Sequence, residues 1–184
     1  SDLDKIVEVA LALSDYEPNN VLVLENLGEA YLDLYELDKA LRVYQKLIKV
    51  DNKNVNHFIS MSKIYSDIGE YSNSTEFADK AIAMSASAES YYNRAQIYKN
   101  IAEACRQEVL SMSDKAVYEM AWEDLKAAID KGNRRAKKDA SFLEKNFITK
   151  NADWFRFVED GKKTFKPIDS CYDMIDRKIT KRNF

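Results

Sequence analysis

Apolar and small residues recur along this chain with the three- and four-residue spacing of one face of an α-helix. In each of three segments a large apolar residue is followed four positions later by a small one, and three positions after that by a tyrosine. The sets are Leu24, Gly28 and Tyr31; Phe58, Ser62 and Tyr65; and Tyr91, Ala95 and Tyr98. The tyrosines lie 34 and 33 residues apart. Each set predicts an amphipathic helix whose small residue lets a second helix approach closely.

A second apolar stripe follows the first stripe in each segment. In the first two segments it consists of Leu37, Ala40, Leu41, Tyr44, Leu47 and Ile48, and of Tyr71, Phe77, Ala78, Ala81 and Ile82. The stretches EPNN (17–20) and VDNKN (50–54) separate the pairs and offer Asn residues as helix caps. Because one such pair cannot bury its own apolar face, the pattern predicts antiparallel helix pairs that stack on one another.

The best-formed repeat contains Leu24, Leu27, Gly28, Tyr31, Ala40 and Tyr44. With these residues the chain resembles the tetratricopeptide repeat family, over about residues 1–133. The second segment matches more loosely, with Ser74 where the family has Ala, and the third matches only if an insertion is allowed. The resemblance implies an all-α, right-handed superhelix of antiparallel helix pairs, with about three and a half repeats. It also implies a non-catalytic scaffold that binds other proteins.

These repeats divide the chain into six predicted parts. Ile6, Ala10 and Leu13, closing at Pro18, predict the second helix of a repeat that begins upstream. The parts are a partial repeat at 1–20, repeats at 21–54 and 55–87, a repeat with an insertion at 88–133, a capping helix at 134–149 and a C-terminal extension at 150–184.

The third repeat is longer than the first by 14 residues, since Gly28 to Ala40 spans 12 residues and Ala95 to Ala121 spans 26. Divided between two antiparallel helices, this adds about two turns to each. The apolar stripe continues through the added part with Tyr98, Ile101, Ala102, Cys105, Val109 and Met112. We therefore predict an elongated helical hairpin, whose first helix runs to about Ser111 and whose second is capped by Ser113.

An elongated hairpin has to be covered, because ordering its residues costs more free energy than its few apolar contacts return. We expect residues after 133 to pack on it, with Trp154, Phe155 and Phe157 as the anchors. Deleting residues 150–184 is then expected to lower the melting temperature.

The extension itself shows weaker patterns. A two-residue hairpin turning at Asp160-Gly161 and an irregular loop are both compatible with residues 154–165. Ser170 is a candidate cap for a short terminal helix, with Ile175 and Ile179 facing inward.

Charge is distributed unevenly along the chain. Residues 1–130 contain 13 Lys and Arg against 23 Asp and Glu, whereas residues 131–184 contain 15 against 8. This split suggests that the two parts have different roles. Cys105 and Cys171 are too few for a disulfide framework, which favours free thiols and a cytoplasmic, intracellular location. The chain begins at Ser1 without Met, which is also compatible with removal of an upstream targeting segment.

Residues typical of enzymes are scarce in the sequence. His57 is the single histidine and precedes the core residue Phe58, so a solvated or helix-capping role is favoured over catalysis. No Cys/His cluster has metal-ligand spacing, and no glycine-rich phosphate loop is present. We expect no catalytic residues, no metal and no cofactor.

In tetratricopeptide-like arrays the first helix of each pair lines a concave groove, and we expect the partner to bind there. The candidate contacts are Glu25, Asn26, Glu29, Asp33, Asn56, Ser60, Lys63, Asp67, Tyr92, Asn93, Gln96 and Lys99. A solvated polar face is the alternative for any one of them. The acidic residues favour a basic peptide or helix, or one that is amphipathic with a basic rim. Binding of nucleic acid or an acidic surface through the basic C-terminal part is the alternative function, although nucleic acid is disfavoured by the interleaved acidic residues.

Overall fold

The computed structural model describes residues 2–159 and 161–183, and these are mainly helical. The helices are α1 (Asp2–Tyr16), α2 (Val21–Asp33), α3 (Leu37–Val50), α4 (Val55–Asp67), α5 (Tyr71–Met84), α6 (Ala88–Cys105), α7 (Met112–Asp130), α8 (Ala136–Asn146) and α9 (Asn151–Phe157). One short antiparallel strand pair, β1 (Thr164–Phe165) with β2 (Ile179–Thr180), and a 3-10 helix at Ser170–Tyr172 complete the described part. The predicted all-α class is confirmed. The chain forms two compact units, Ser1–Met84 and Ser85–Phe184.

The first unit contains the two regular helix pairs, and their ends follow from local sequence. Asn20 caps α2 by accepting the Val23 N–H, and Asn54 caps α4 by accepting the Asn56 N–H. Helices α2 and α4 end in turns of the same type. Tyr35 after α2 and Gly69 after α4 adopt positive φ angles of 56° and 81°. Tyr35 occupies in the first pair the left-handed position that glycine fills in the second.

The core of the first unit is made by the stripes predicted from the sequence. Leu24, Leu27, Tyr31, Ala40, Tyr44 and Leu47 are buried together with Met61 and Ile64. At Gly28 helix α2 lies directly against α3, because a Cβ atom there would lie 2.9 Å from Cε2 of Tyr44. In α1, Ala10 is buried but Ile6 and Leu13 are exposed.

The second unit is built on the elongated hairpin of α6 and α7, which have 18 and 19 residues where α2 and α3 have 13 and 14. The predicted elongation is confirmed, but its turn is wrong. Helix α6 ends at Cys105 rather than near Ser111, and Val109 is exposed. The cap of α7 is Ser111 rather than Ser113, because Ser111 and Asp114 bond each other's backbone N–H groups reciprocally.

Residues after the hairpin pack on it, as expected. Helix α8 buries Ala136, Ala140 and Leu143. Trp154 is 2% exposed, whereas Phe155 and Phe157 are 91% and 53% exposed, so two of the three predicted anchors are wrong. Their places are taken by Tyr172, Ile175 and Ile179, which are buried. The inward-facing positions predicted for Ile175 and Ile179 are confirmed, whereas the burial of Tyr172 was not predicted.

The extension differs from both predicted elements. Residues 151–157 form helix α9, because the Asp153 carboxylate accepts the Lys150 N–H and the Trp154 indole donates to Thr149 Oγ1. The strand at Thr164–Phe165 pairs with Ile179–Thr180 instead of with residues before Asp160. Asp160 itself lies outside the described residues. The predicted terminal helix at Ser170 is only the 3-10 helix, which ends at Tyr172.

Cys105 and Cys171 form a disulfide, so the expectation of free thiols is wrong. The bond joins the C-terminal end of α6 to the 3-10 helix, across a sequence separation of 66 residues and a Cα–Cα distance of 5.9 Å. Sequence spacing cannot reveal such a pair, because the two cysteines meet only after the extension has folded onto the hairpin.

Candidate partner-binding site

Eight of the predicted contact residues lie on α2 and α4 of the first unit, and we call this set the α2/α4 face. Its members are Glu25, Asn26, Glu29 and Asp33 on α2, and Asn56, Ser60, Lys63 and Asp67 on α4. Glu25 and Ser60 are partly buried and the other six are exposed. The side chains alternate with the buried stripe of each helix, so the same periodicity that forms the core also places them on the opposite side.

His57 joins the two helices beneath this face. The ring is 2% exposed, its Nε2 lies 2.9 Å from Glu25 Oε1, and its Nδ1 lies 3.2 Å from the carbonyl of Asp51. Asn54 Nδ2 donates to the same Glu25 oxygen at 3.2 Å. The solvated role considered for His57 is therefore wrong: the side chain is buried and holds Glu25 in place. Glu25 is accordingly part of the framework of the face as well as of its surface.

Tyr44 contributes to the face from beneath, although it belongs to α3. Its ring passes under Gly28, and its hydroxyl group lies close to Ser60 of α4. Burial raises the pKa of the Tyr44 hydroxyl; the nearby Ser60 side chain opposes this, and the charges of Glu29, Glu25 and Asp33 add to it. The hydroxyl thus lies within the field of three carboxylates. Sequence reasoning treated Tyr44 only as a core residue, because the stripe pattern does not show where the end of a long side chain reaches.

The exposed charges of the face are predominantly acidic. Glu25, Glu29, Asp33 and Asp67 oppose the single cation Lys63. Partial burial raises the pKa of the Asp67 carboxyl group, and the Lys63 charge opposes this. Exposed Asn26 and Asn56 supply amide groups that both donate and accept hydrogen bonds. The face therefore presents carboxylates that can pair with cations and amides that can hydrogen-bond to a backbone.

The other four predicted contacts lie on α6 of the second unit, where their surroundings differ. Tyr92, Gln96 and Lys99 are partly buried, and both Gln96 and Lys99 donate to the Asp139 carboxylate of α8, at 3.1 and 3.3 Å. Asn93 is 2% exposed, so its amide lies inside the unit and does not form part of a surface. The side chains of Gln96 and Lys99, which were expected to face a partner, are thus hydrogen-bonded to α8.

A buried ionic network in the second unit was not predicted. Asp124, 1% exposed, accepts two hydrogen bonds from Arg94 and one from Arg177, and Arg177 also contacts Glu123. Glu119 accepts from the backbone and side chain of Thr149 and lies 3.0 Å from Arg182 Nε. The Arg94 pair joins α7 to α6, and the Arg177 and Arg182 pairs join α7 to the extension. Arg177 and Arg182, two basic residues of the C-terminal part, therefore form ion pairs within the second unit and are mostly buried.

Neither a metal-binding cluster nor a membrane-spanning helix is found in the described part of the chain. Among these residues, no group of three or more His, Cys, Asp or Glu side chains is placed to hold a metal ion. Within residues 2–159 and 161–183, no helix combines the length and the apolar character that a membrane span requires.

Comparison with known proteins identifies the class of fold. The profile of the tetratricopeptide repeat family matches residues 23–54, which correspond to the α2/α3 pair. The resemblance recognised in the sequence is therefore confirmed, and the chain has the architecture of a tetratricopeptide repeat protein. A comparison with curated protein sequences finds no match.

Solved structures of tetratricopeptide repeat proteins share this fold at low sequence identity. A crystal structure of MamA is 20% identical with a TM-score of 0.62, covering 77% of this chain and 77% of that one. TTC0263, a thermophilic protein of Thermus thermophilus, is 16% identical with a TM-score of 0.61, covering 75% of this chain and 71% of that one. The first tetratricopeptide repeat domain of Spaghetti (RPAP3), bound to the HSP90 peptide SRMEEVD, is 17% identical with a TM-score of 0.55, covering 67% of this chain and 90% of that one.

Proposed function

We propose that this protein is a non-catalytic interaction scaffold and that the α2/α4 face binds a basic peptide or helix of a partner protein. The observation that carries the proposal is the combination of an acidic exposed surface with a fixed support. The contacts of Glu25 with His57 and with Asn54 hold the two helices from beneath, so Glu29, Asp33 and the two amides need little reorganisation on binding. The tetratricopeptide fold commonly mediates protein–protein interaction, which supports the same function.

The charge of the face argues for a cationic ligand. A partner segment with Lys or Arg residues would find complementary carboxylates at Glu29 and Asp33, which increases both association rate and specificity. The RPAP3 domain named above was solved with an acidic peptide. An acidic peptide of that kind would be repelled by the α2/α4 face, so the proposed ligand differs in charge.

Tyr92 of α6 is proposed as a further contact in the second unit. Gln96 and Lys99 belong to this set only if a partner competes with Asp139 for their side chains. The Cys105–Cys171 disulfide removes the ground on which an intracellular location was expected, because disulfides persist mainly in oxidising compartments.

Peptide display followed by titration tests the proposal. A library panned against the full chain should enrich sequences rich in Lys or Arg, and a labelled enriched peptide should bind in a fluorescence-anisotropy titration. We expect Glu29→Lys/Asp33→Lys to abolish that binding, because both carboxylates are replaced by like charges.

A matched control separates local contact from net charge. Glu8→Lys/Asp15→Lys makes the same change in net charge at exposed positions of α1. We expect this variant to retain most of the affinity at moderate salt, where distant surface charges are screened. Equal loss in both variants, or enrichment of acidic peptides, would refute the proposed site.

A further inference from the structure

The second unit exposes three large apolar side chains around two open clefts. Phe155 and Phe157 of α9 and Ile168 after β1 are 91%, 53% and 79% exposed. One cleft, of about 470 Å³, is lined by Phe157, Val158 and Ile168 among others, and the second, of about 260 Å³, by Trp154, Phe155 and Val158. Val158, Glu159 and Lys162 line both, so the clefts belong to one surface. Exposed apolar groups clustered in this way mark an interaction surface.

Lysines surround the same apolar groups. Of the described residues that line the two clefts, four are lysines and one is acidic: Lys162, Lys166, Lys178 and Lys181, against Glu159. Lys162 forms an ion pair with Glu159, and Lys166 pairs with Asp176 at 2.6 Å. Lys178 and Lys181 are exposed. We call Phe155, Phe157, Ile168, Lys162, Lys178 and Lys181 the lysine–phenylalanine surface.

The strand pair brings further like charges together. The N–H of Lys181 donates to the carbonyl of Lys163 at 2.7 Å, so these two lysines stand opposite each other in the pair. Like charges at opposite positions of a strand pair are destabilising unless a counter-charge is present. An anionic ligand at this surface would supply it.

The two arginines of the same segment point elsewhere. Arg177 and Arg182 are bound to Glu123, Asp124 and Glu119 of α7 and are mostly buried. The exposed cations are therefore mainly lysines, whose long apolar stems let the ammonium group reach lipid phosphates while the stem stays at the interface. Nucleic-acid binding favours arginine, which stacks on bases and makes bidentate phosphate contacts. With Arg177 and Arg182 engaged elsewhere, Arg156 would have to supply such contacts at this surface.

We propose that the lysine–phenylalanine surface attaches the protein to an anionic lipid bilayer. Phe155, Phe157 and Ile168 enter the headgroup region, and the lysines contact the lipid phosphates and carboxylates. A side chain that is 91% exposed offers a protein partner no recess to fill, so such a partner would need a matching pocket for each group. A fluid bilayer accommodates protruding apolar groups without a preformed pocket. This proposal rests on residues other than the α2/α4 face and is independent of peptide binding.

Co-sedimentation of the full chain with vesicles tests it. We expect binding to vesicles that contain phosphatidylserine, little binding to pure phosphatidylcholine, and weakening as salt is raised. Lys178→Gln/Lys181→Gln should reduce the partition coefficient by more than about tenfold, since each lysine near an anionic surface is worth on the order of fivefold. Phe155→Ser/Ile168→Ser should reduce it by a similar factor at unchanged charge.

Helix α8 offers matched controls on the same unit. Lys137→Gln/Lys138→Gln removes two exposed lysines, and Phe142→Ser removes an exposed phenylalanine. Both are expected to bind vesicles like the unmodified protein. Circular dichroism and the melting temperature of each variant establish that it is folded.

Three results would overturn the proposal. The first is an absence of binding to phosphatidylserine vesicles by the folded chain. The second is equal weakening in the α8 controls, which would indicate diffuse charge attraction. The third is that an oligonucleotide or an acidic peptide binds at the same residues while the vesicles do not, which would assign the surface to that ligand.

Discussion

At the scale of single residues, one contact explains why position 28 is a glycine. The space that a side chain would need is filled by the ring of Tyr44, which is 4% exposed. The ring is packed among the other core residues of the first unit, so it cannot move aside without disturbing them. Close packing of this kind leaves no room for added methyl groups.

We predict that Gly28→Val lowers the free energy of unfolding by about 2 kcal/mol, as overpacking of a core does. Urea denaturation measures it. In a Tyr44→Leu background, which shortens the facing side chain, the same substitution should cost less. An equal cost in both backgrounds would show that the contact with the Tyr44 ring is not responsible. Helix propensity cannot explain a cost, because valine forms helices more readily than glycine.

Two buried tyrosines of the second unit make the stability of the protein depend on pH. Burial raises the pKa of Tyr172 and of Tyr118 well above the ordinary value, and their hydrogen bonds to Asp114 and Glu103 raise it further. The folded state therefore keeps these protons at a pH at which the unfolded state has lost them. Their stabilising effect is complete below about pH 10, the ordinary tyrosine pKa, and declines as the pH rises above it.

We expect the free energy of unfolding to fall by up to about 1.4 kcal/mol per pH unit for each of these tyrosines above pH 10. Denaturation curves at a series of alkaline pH values measure this slope. Tyr172→Phe should reduce the slope, whereas Tyr16→Phe, at an exposed position of α1, should leave it unchanged. A slope equal in all three proteins would contradict the assignment.

At the scale of elements, the disulfide connects the hairpin to the extension. Closing a loop between Cys105 and Cys171, 66 residues apart, restricts the unfolded chain. In the chain-entropy description this is worth about 4 kcal/mol. The bond acts in parallel with the buried Trp154, Tyr172, Ile175 and Ile179, which hold the same segment.

We predict that Cys105→Ser/Cys171→Ser destabilises the second unit by about 4 kcal/mol, and that a thiol reductant does the same to the unmodified protein. Thermal denaturation with and without reductant measures both. The double variant should not respond to the reductant. Alkylation of two thiols in the unreduced, denatured protein would show instead that the bond does not form.

At the scale of the whole molecule, the uneven charge distribution contributes less than packing does. The acidic stretch 1–130 and the basic stretch 131–184 carry balances of −10 and +7. In the second unit this charge is used in specific pairs, such as Arg177 with Asp124. The same segment also buries Tyr172, Ile175 and Ile179, and these contacts are not screened by salt.

We therefore expect amide hydrogens of residues 170–180 to be protected from exchange at both low and high salt. Hydrogen exchange followed by mass spectrometry measures it. Residues 106–110, which connect α6 and α7 outside any helix, should exchange rapidly under both conditions and serve as the internal reference. Protection that disappears at high salt would mean that charge alone holds the extension.

The sequence allowed much of the repeat region and less of the extension to be predicted. Leu24, Tyr31 and Ala40 were placed in the core correctly because helical periodicity is a local property and every residue of a stripe shares it. Phe155 was misplaced because hydrophobicity alone does not say which side of a seven-residue helix is covered. Asn93 was placed on a surface for a related reason: its position along α6 suggested exposure, but its burial depends on the packing of the unit.

What the sequence by itself determined is the architecture of antiparallel helix pairs and the elongation of the third hairpin. Spacing between residues close in the chain encodes both, because a helix repeats every 3.6 residues whatever surrounds it. Only the tertiary structure decided the pairing of Cys105 with Cys171, the bond between His57 and Glu25, and the exposure of Phe155 beside the lysines. These features join residues far apart in sequence, and such contacts are fixed by how the elements pack and not by any local period.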